Sequence, residues 1–215
     1  MILVPVKNLA KAKQRLAHVL EQPSRTELAQ AMLADVLQAL AESAADEISL
    51  VTSDPFAIQV ADHYRFAVIH DDSNLSETSA IEMATRAYES RGIQTTLVIP
   101  ADVPLIEAAD IRAIYADAPA NGTVLVPSGD QRGSNAVLRR PAALFPLRFG
   151  NDSFMPHLVA AIATRTTCVV LSLPRIALDI DTPEDLQQLV NAGGEKRSQR
   201  VARTLGFSAA LATHD

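Results

Sequence analysis

Thr95-Thr96-Leu97-Val98-Ile99-Pro100-Ala101-Asp102-Val103-Pro104-Leu105 is the stretch from which the rest of the chain becomes readable. Its first half is β-branched or apolar almost throughout, with no polar alternation, as expected of a strand covered on both faces. Such strands belong to mostly parallel sheets, whose helices cover both sides. The apolar run stops just before Asp102, which places a carboxylate at the strand's C-terminal end, with Pro100 and Pro104 restricting the backbone on either side. In open α/β sheets that edge is where ligands bind.

Similar short runs lie at residues 2–6, 47–52, 66–70, 123–127, 136–139 and 167–172. Helical patterns separate them. Ser24 and Glu27 have the spacing of a capping box, and after them Leu28, Met32, Val36 and Leu40 recur every fourth residue, a core-facing stripe. Asp54-Pro55 pairs an N-cap acid with proline at the first helical position. The pattern over residues 77–91 stops at Gly92, and Thr182-Pro183-Glu184-Asp185 opens a last helix that ends at Gly193-Gly194. This alternation predicts an α/β fold with a single-domain, doubly wound, mostly parallel sheet. The domain spans residues 1–192. Residues 193–215 form a tail, basic and then Ala-rich, whose role the sequence leaves open.

At 215 residues the chain is long enough to bury most of its apolar surface in one domain. A net charge of −6 argues against nucleic acid as a partner, because phosphate backbones are bound through clustered Lys and Arg. The single cysteine, Cys168, excludes an internal disulfide and a cysteine-based zinc site. No apolar run approaches the ~18 residues of a membrane span, so the expected location is the cytoplasm, with no membrane partner. Whether the chain forms a homo-oligomer is open at this level.

Chemistry is expected where strands end. The first strand runs into Lys7, Lys11, Lys13 and Arg15, four cations in nine residues at the mouth of the sheet. They suit a triphosphate and a pyrophosphate leaving group. A solvated amphipathic helix explains the same residues equally well. GxxxxGK[ST] and GxGxxG are both absent, so neither a P-loop nor a dinucleotide fold is indicated. In Leu178-Asp179-Ile180-Asp181-Thr182, alternation puts Asp179 and Asp181 on one side. With Asp102 they give three oxygen donors, a set suited to Mg2+. Asp181 or Thr182 is also placed to cap the final helix. Gly133-Ser134-Asn135 and Gly150-Asn151-Asp152-Ser153 offer backbone amides, hydroxyls and a helix N-terminus to an anion. Turn formation and plain capping account for the same residues. His157 is read as a helix-surface histidine.

Taken together these segments resemble the 2-phospho-L-lactate guanylyltransferase family, which acts in biosynthesis of coenzyme F-420. The resemblance covers roughly residues 1–192 and runs through Pro5-Val6-Lys7, Ala12-Lys13-Gln14-Arg15-Leu16, Arg25 to Ala29, Ala101-Asp102-Val103-Pro104, Gly133-Ser134-Asn135, Gly150 with Ser153-Phe154 and His157, and Asp179 to Leu186. It implies a nucleotide-diphospho-sugar transferase-like fold and transfer of GMP from GTP to a phosphorylated three-carbon acid. Magnesium would be held by Asp102, Asp179 and Asp181. Lys13 and Arg15, with Lys7 and Arg25, would handle GTP. Ser134, Asn135, Gly150 and Ser153 would receive the acceptor.

The sequence departs from the family pattern at two places. Ser76-Glu77-Thr78-Ser79-Ala80-Ile81 stands where the family shows GLNxAI, and Val103 where it shows Leu. More room and more polar groups favour an acceptor with an additional hydroxyl, 3-phospho-D-glycerate, over 2-phospho-L-lactate or phosphoenolpyruvate. Rival readings are a cytidylyl- or guanylyltransferase of the sugar-phosphate or molybdopterin type, whose Gly-rich opening is missing here, and a non-catalytic nucleotide-sensing module.

Overall fold

Alternation along β1 (Ile2–Val6) sends Ile2, Val4 and Val6 into one apolar core and Leu3 into a second on the opposite face. The computed structural model describes residues 1–45, 47–72 and 75–208. Among them β1 is joined by β2 (Ile48–Thr52), β3 (Ala67–Ile69), β4 (Thr96–Val98), β5 (Gly122–Pro127), β6 (Ser134–Arg140) and β7 (Thr167–Val170) in one sheet, ordered β3-β2-β1-β4-β6-β5-β7. Every strand expected from the sequence is present, with ends shifted by up to two residues. Pairing is parallel except at β6, which runs antiparallel to both neighbours. Because β6 is reversed, its first residues, Ser134 and Asn135, lie at the edge where β1 and β4 finish. Gly122 opens β5 with φ +148°, and a Cβ there would lie 2.0 Å from the Thr167 carbonyl oxygen of β7. Only glycine lets these two strands start together.

Eight helices are described: α1 (Gln22–Glu42), α2 (Pro55–Tyr64), α3 (Glu77–Glu89), α4 (Ala108–Ala116), α5 (Phe154–Ala163), α6 (Pro174–Ala177), α7 (Pro183–Asn191) and α8 (Arg197–Thr204). The stripe of α1 packs on the Ile2 face of the sheet, whereas α3 and α5 contribute Ala80, Ile81, Ala84, Phe154 and Ala161 to the Leu3 face. Asp54 and Thr182 cap α2 and α7 as the sequence indicates, accepting from the Ala57 and Asp185 amides. The Ser24–Glu27 capping box does not form. Helix α1 starts at Gln22, two residues earlier, because Pro23 already supplies a helical φ in its first turn. Ser24 is therefore inside the helix.

The basic segment after β1 is not an amphipathic helix. It folds as two 3-10 turns, Leu9–Lys11 and Gln14–Leu16, separated by Lys13 in the left-handed region (φ 54°, ψ 47°). The backbone reversal at Lys13 aims its side chain inward. No described helix is long and apolar enough to cross a membrane.

Within the segment after residue 192, α8 docks on α1. Asp35 of α1 is buried and accepts from the Arg197 amide (3.0 Å), the Ser198 amide (2.8 Å) and the Ser198 hydroxyl (2.7 Å), capping α8 from another helix. Residues 209–215 lie outside the described residues. Replacing Asp35 by Ala leaves those donors without partners, and should destabilise the protein by about 1–3 kcal/mol. Urea unfolding checks this, and a midpoint unchanged from wild type would contradict the role given to Asp35.

Candidate active site

The ends of β1 and β4 converge with the segment that leads into α7. The ammonium of Lys13, its side chain only 8% exposed, meets Asp102 Oδ2 at 2.7 Å and Asp181 Oδ1 at 3.0 Å. Arg15 donates to Asp181 Oδ2 (3.1 Å) and to the Asn151 side chain (2.7 Å). The backbone helps to hold this meeting point, since the Ile180 amide donates to the Asp102 carbonyl at 3.0 Å. Burial works to lower the Lys13 pKa, but the two carboxylates outweigh it, and the ammonium is held more firmly protonated than usual. Burial likewise opposes the Asp181 charge, and Lys13 and Arg15 overcome it, so that carboxyl titrates below its ordinary range.

Asp179 stands apart. It accepts from the Asn135 amide at 3.0 Å, and burial pushes its pKa up. Asn135 spends the same amide nitrogen on the Ile176 carbonyl (2.9 Å), tying β6 to α6. The expected trio of acids is thus a pair, Asp102 and Asp181, with Asp179 nearby. Among the described residues no three His, Cys, Asp or Glu side chains are gathered as a ready metal ligand set. The two carboxylates that reach one cation do define a position where hard oxygen donors converge.

Two cavities open on either side of this pair. One, of about 690 Å³, is lined by Lys7, Lys11, Lys13, Arg15, Met32 and the Pro5–Leu9 backbone. The other, of about 920 Å³, is lined by the residue 128–135 hairpin, the residue 149–153 loop, Asp179 and the start of α7. Arg15, Glu77, Pro100, Asp102 and Asp181 line both and form the wall between them. Lys7 is in the first cavity and pairs with Asp71 at 2.6 Å. Ser134, Asn135, Gly150 and Ser153 are all in the second.

Arg25 lines neither cavity. It is buried, and its guanidinium donates to the Leu20 carbonyl and the Gln22 side chain, bracing the turn into α1. Val103 is also fully buried in the core and lines neither, so its missing methylene does not bear on ligand choice. His157 is not on the surface. It is fully buried, with Nε2 accepting from the Arg148 amide and Nδ1 2.8 Å from the Ser134 hydroxyl. A histidine four residues after a loop serine gave no sign in sequence of whether its ring turned in or out.

Sequence reasoning also passed over Glu77 as a single residue. Helix α3 begins at Glu77, after the Ser76 cap, and that start carries the carboxyl into the shared wall. Burial, then the nearby Asp102, raises its pKa to about 7, against the pull of Lys7 and Lys13. Thr78 adds a second tie, its hydroxyl accepting from the Phe149 amide at 2.9 Å and so holding the residue 149–153 loop.

Residues 1–214 match the model of a family described as guanylyl transferase CofC like. The phosphoenolpyruvate guanylyltransferase of Roseiflexus castenholzii is 35% identical over 201 residues, covering 94% of this chain and 92% of that protein. The 2-phospho-L-lactate guanylyltransferase of Archaeoglobus profundus is 31% identical over 207 residues, covering 96% and 91%. Among solved structures, a Desulfovibrio desulfuricans G20 protein described as a nucleotide-diphospho-sugar transferase superposes with a TM-score of 0.77 at 20% identity, covering 94% of this chain and 93% of that one. A nucleotidyl transferase from Methanothermobacter superposes at 0.60 and 18% identity, covering 95% and 99%. These two show the fold.

Glu77 yields a prediction about pH. The folded protein keeps its carboxyl protonated up to about pH 7, whereas the unfolded chain releases that proton near the ordinary carboxyl value. Between these values the folded state binds more protons, so the Glu77 contribution falls as pH rises through the window and is fully unfavourable above it. Glu77→Gln, which mimics the protonated form, should therefore stabilise the protein at pH 8 by on the order of 1–2 kcal/mol and leave it nearly unchanged at pH 4. Thermal unfolding at both pH values reads this out. Equal effects at the two would contradict it.

Proposed function

The chain belongs to the guanylyl transferase CofC-like family, and from that premise we propose that it joins GMP, taken from GTP, to a phosphorylated three-carbon acid in coenzyme F-420 biosynthesis. The observation that carries this reading is the wall holding Asp102 and Asp181. It separates a basic cavity suited to a triphosphate from one that offers hydroxyls and amides to a second anion. A reaction that joins two phosphates needs both substrates to meet at such a partition.

GTP occupies the 690 Å³ cavity, where Lys7, Lys13 and Arg15 offset the triphosphate charge. The acceptor occupies the 920 Å³ cavity against Ser134, Asn135, Gly150 and Ser153. An oxygen of the acceptor's phosphate attacks the α-phosphorus of GTP. The bond from that phosphorus to the bridging oxygen breaks, and pyrophosphate leaves with the electron pair. The attacking oxygen is already ionised near neutral pH, so no side chain has to remove a proton from it. Lys13, bonded to that wall from the smaller cavity, and Arg15 within it neutralise the departing pyrophosphate. Asp102 and Asp181 fit a divalent cation, since they already share one cationic partner within 3.0 Å. Magnesium held there, with Asp179 alongside, would supply charge neutralisation at the phosphate oxygens.

For the acceptor itself we keep 3-phospho-D-glycerate as the preferred compound, now on Glu77 alone. Glu77, its pKa raised to about 7, accepts in either form and also donates when protonated, and so can pair with an added hydroxyl. The relatives' names supply the competing acceptors, phosphoenolpyruvate and 2-phospho-L-lactate.

Asp102→Asn and Asp181→Asn should each lower turnover by roughly a hundredfold or more while the fold persists, the scale of removing a preorganised charge-stabilising group. Pyrophosphate release assays and circular dichroism together check both halves; near-normal rates in both variants would misplace the site. Lys13→Ala should weaken GTP binding and leave acceptor binding nearly unchanged, whereas Arg15→Ala, whose side chain lines both cavities, should weaken both, as read by separate titrations. In a mixture of GTP with the three acids at equal concentration, guanylylated 3-phosphoglycerate should be the first product seen by mass, and a lead for either other acid would reassign the acceptor.

A further inference from the structure

The second cavity is rich in acid, with Asp130, Asp152, Asp179 and Asp185 among its lining residues. Its one arginine besides Arg15 is Arg132, which is tied to Asp152 across the mouth. An anionic ligand there depends on hydroxyls that donate to it rather than to the surrounding carboxylates. The protein fixes that choice through a side chain that lines neither cavity.

His157 on α5 has both ring nitrogens engaged. The Arg148 amide donates to Nε2 at 2.8 Å, and an amide N–H can only donate, so Nε2 carries no proton. Burial, reinforced by the nearby Arg139 charge, holds the imidazole pKa down to about 4, so the ring is neutral in the ordinary range. Its single proton is then on Nδ1, the less usual tautomer. Nδ1 is 2.8 Å from Ser134 Oγ, and must donate to it. Ser153 Oγ in turn accepts from the Ser134 amide at 2.9 Å. Each serine oxygen thus receives a hydrogen bond from inside the protein, and each hydroxyl proton stays free to donate to a ligand.

We propose that His157 is a positioning residue, whose Nδ1–H occupies a lone pair of the Ser134 hydroxyl and leaves its proton to donate to a phosphate or carboxylate oxygen in the larger cavity. This rests on the reading that the larger cavity takes the acceptor. The relay is neutral throughout, so it orients without adding charge. In this it differs from Lys7 and Lys13, which act on the other side of the wall as charges.

Two variants separate the two ring contacts. In His157→Asn the amide nitrogen approximates Nδ1 and can still donate to Ser134; in His157→Gln the side chain reaches the Nε2 position and loses that donor. His157→Gln should raise the acceptor KM roughly tenfold, the scale of one hydrogen bond, with GTP KM unchanged. His157→Asn should stay within about threefold of wild type, as expected if a hydrogen bond of this strength is kept. Ser134→Ala should match His157→Gln, and combining them should add nothing, because both break one chain of contacts. Additive effects, or equal increases in the GTP KM, would overturn the proposal. Because a buried ring can be needed for folding, 15N spectra of the unsubstituted protein give an independent reading. They should show Nδ1 protonated and Nε2 bare between pH 6 and 8, and an Nε2–H ring would overturn the proposal whatever the activity. Failure of the underlying function looks different: the unsubstituted protein would release no acceptor-dependent pyrophosphate from GTP.

Discussion

Asp102 and Asp181 reach the same point from β4 and from the entry to α7, and two carboxylates so placed repel unless a cation lies between them. Lys13 is that cation. Its left-handed backbone, the tight turns on either side of it and the Ile180–Asp102 backbone bond all serve to bring three distant segments into contact. This cluster lies where the two cavities adjoin, and Arg15, Asp102 and Asp181 line both. Structural need and proposed chemistry therefore fall on the same atoms. A group that holds the folded protein together by charge is also one that a triphosphate and its counter-ion would have to rearrange.

The two sides of the wall use different physics. On the side proposed for the nucleotide, lysines and an arginine provide charge, which is less directional than a hydrogen bond. On the other side, Ser134, Ser153, Asn135 and Gly150 provide directed donors on short side chains and backbone. That contrast suits a constant triphosphate on one side and a small acid to be told from its analogues on the other. Glu77 belongs to both sides, and its position at the first turn of α3 means that a change in the preceding loop would act on both ligands together.

Much of this was legible before the structure. Apolar strands without alternation foretold the mostly parallel sheet, and Asp102 lies, as expected, just past the C-terminal end of β4. What escaped the sequence has specific causes. Pro23 started α1 ahead of a plausible serine cap, so local capping chemistry lost to a proline-fixed φ. Arg25 has the composition of a phosphate ligand, but its surroundings offered the Leu20 carbonyl first. Val103 follows the site aspartate by one residue, and the turn there sends it into the core. His157 and Glu77 depended on which way a helix face points relative to a loop from elsewhere in the chain, information that single-residue spacing does not contain. The reversed direction of β6 was likewise invisible in its composition, yet it is what delivers Ser134 and Asn135 to the ligand edge.

The docking of α8 onto Asp35 bears on how the chain is made. Residues 163 positions apart close this contact, and Ala202 belongs to the same core as Ile2 and Leu33. A growing chain can form the α1 helix early, but its buried acid has no donors until nearly the whole length has emerged. The sheet imposes the same delay, since central β1 needs β4 on one side before β6 can add. Such topologies rest on long-range closure, which slows folding and leaves apolar faces uncovered during synthesis. Truncation before α8 would leave Asp35 without the donors that cap it and the α1 face that Ala202 covers open to solvent.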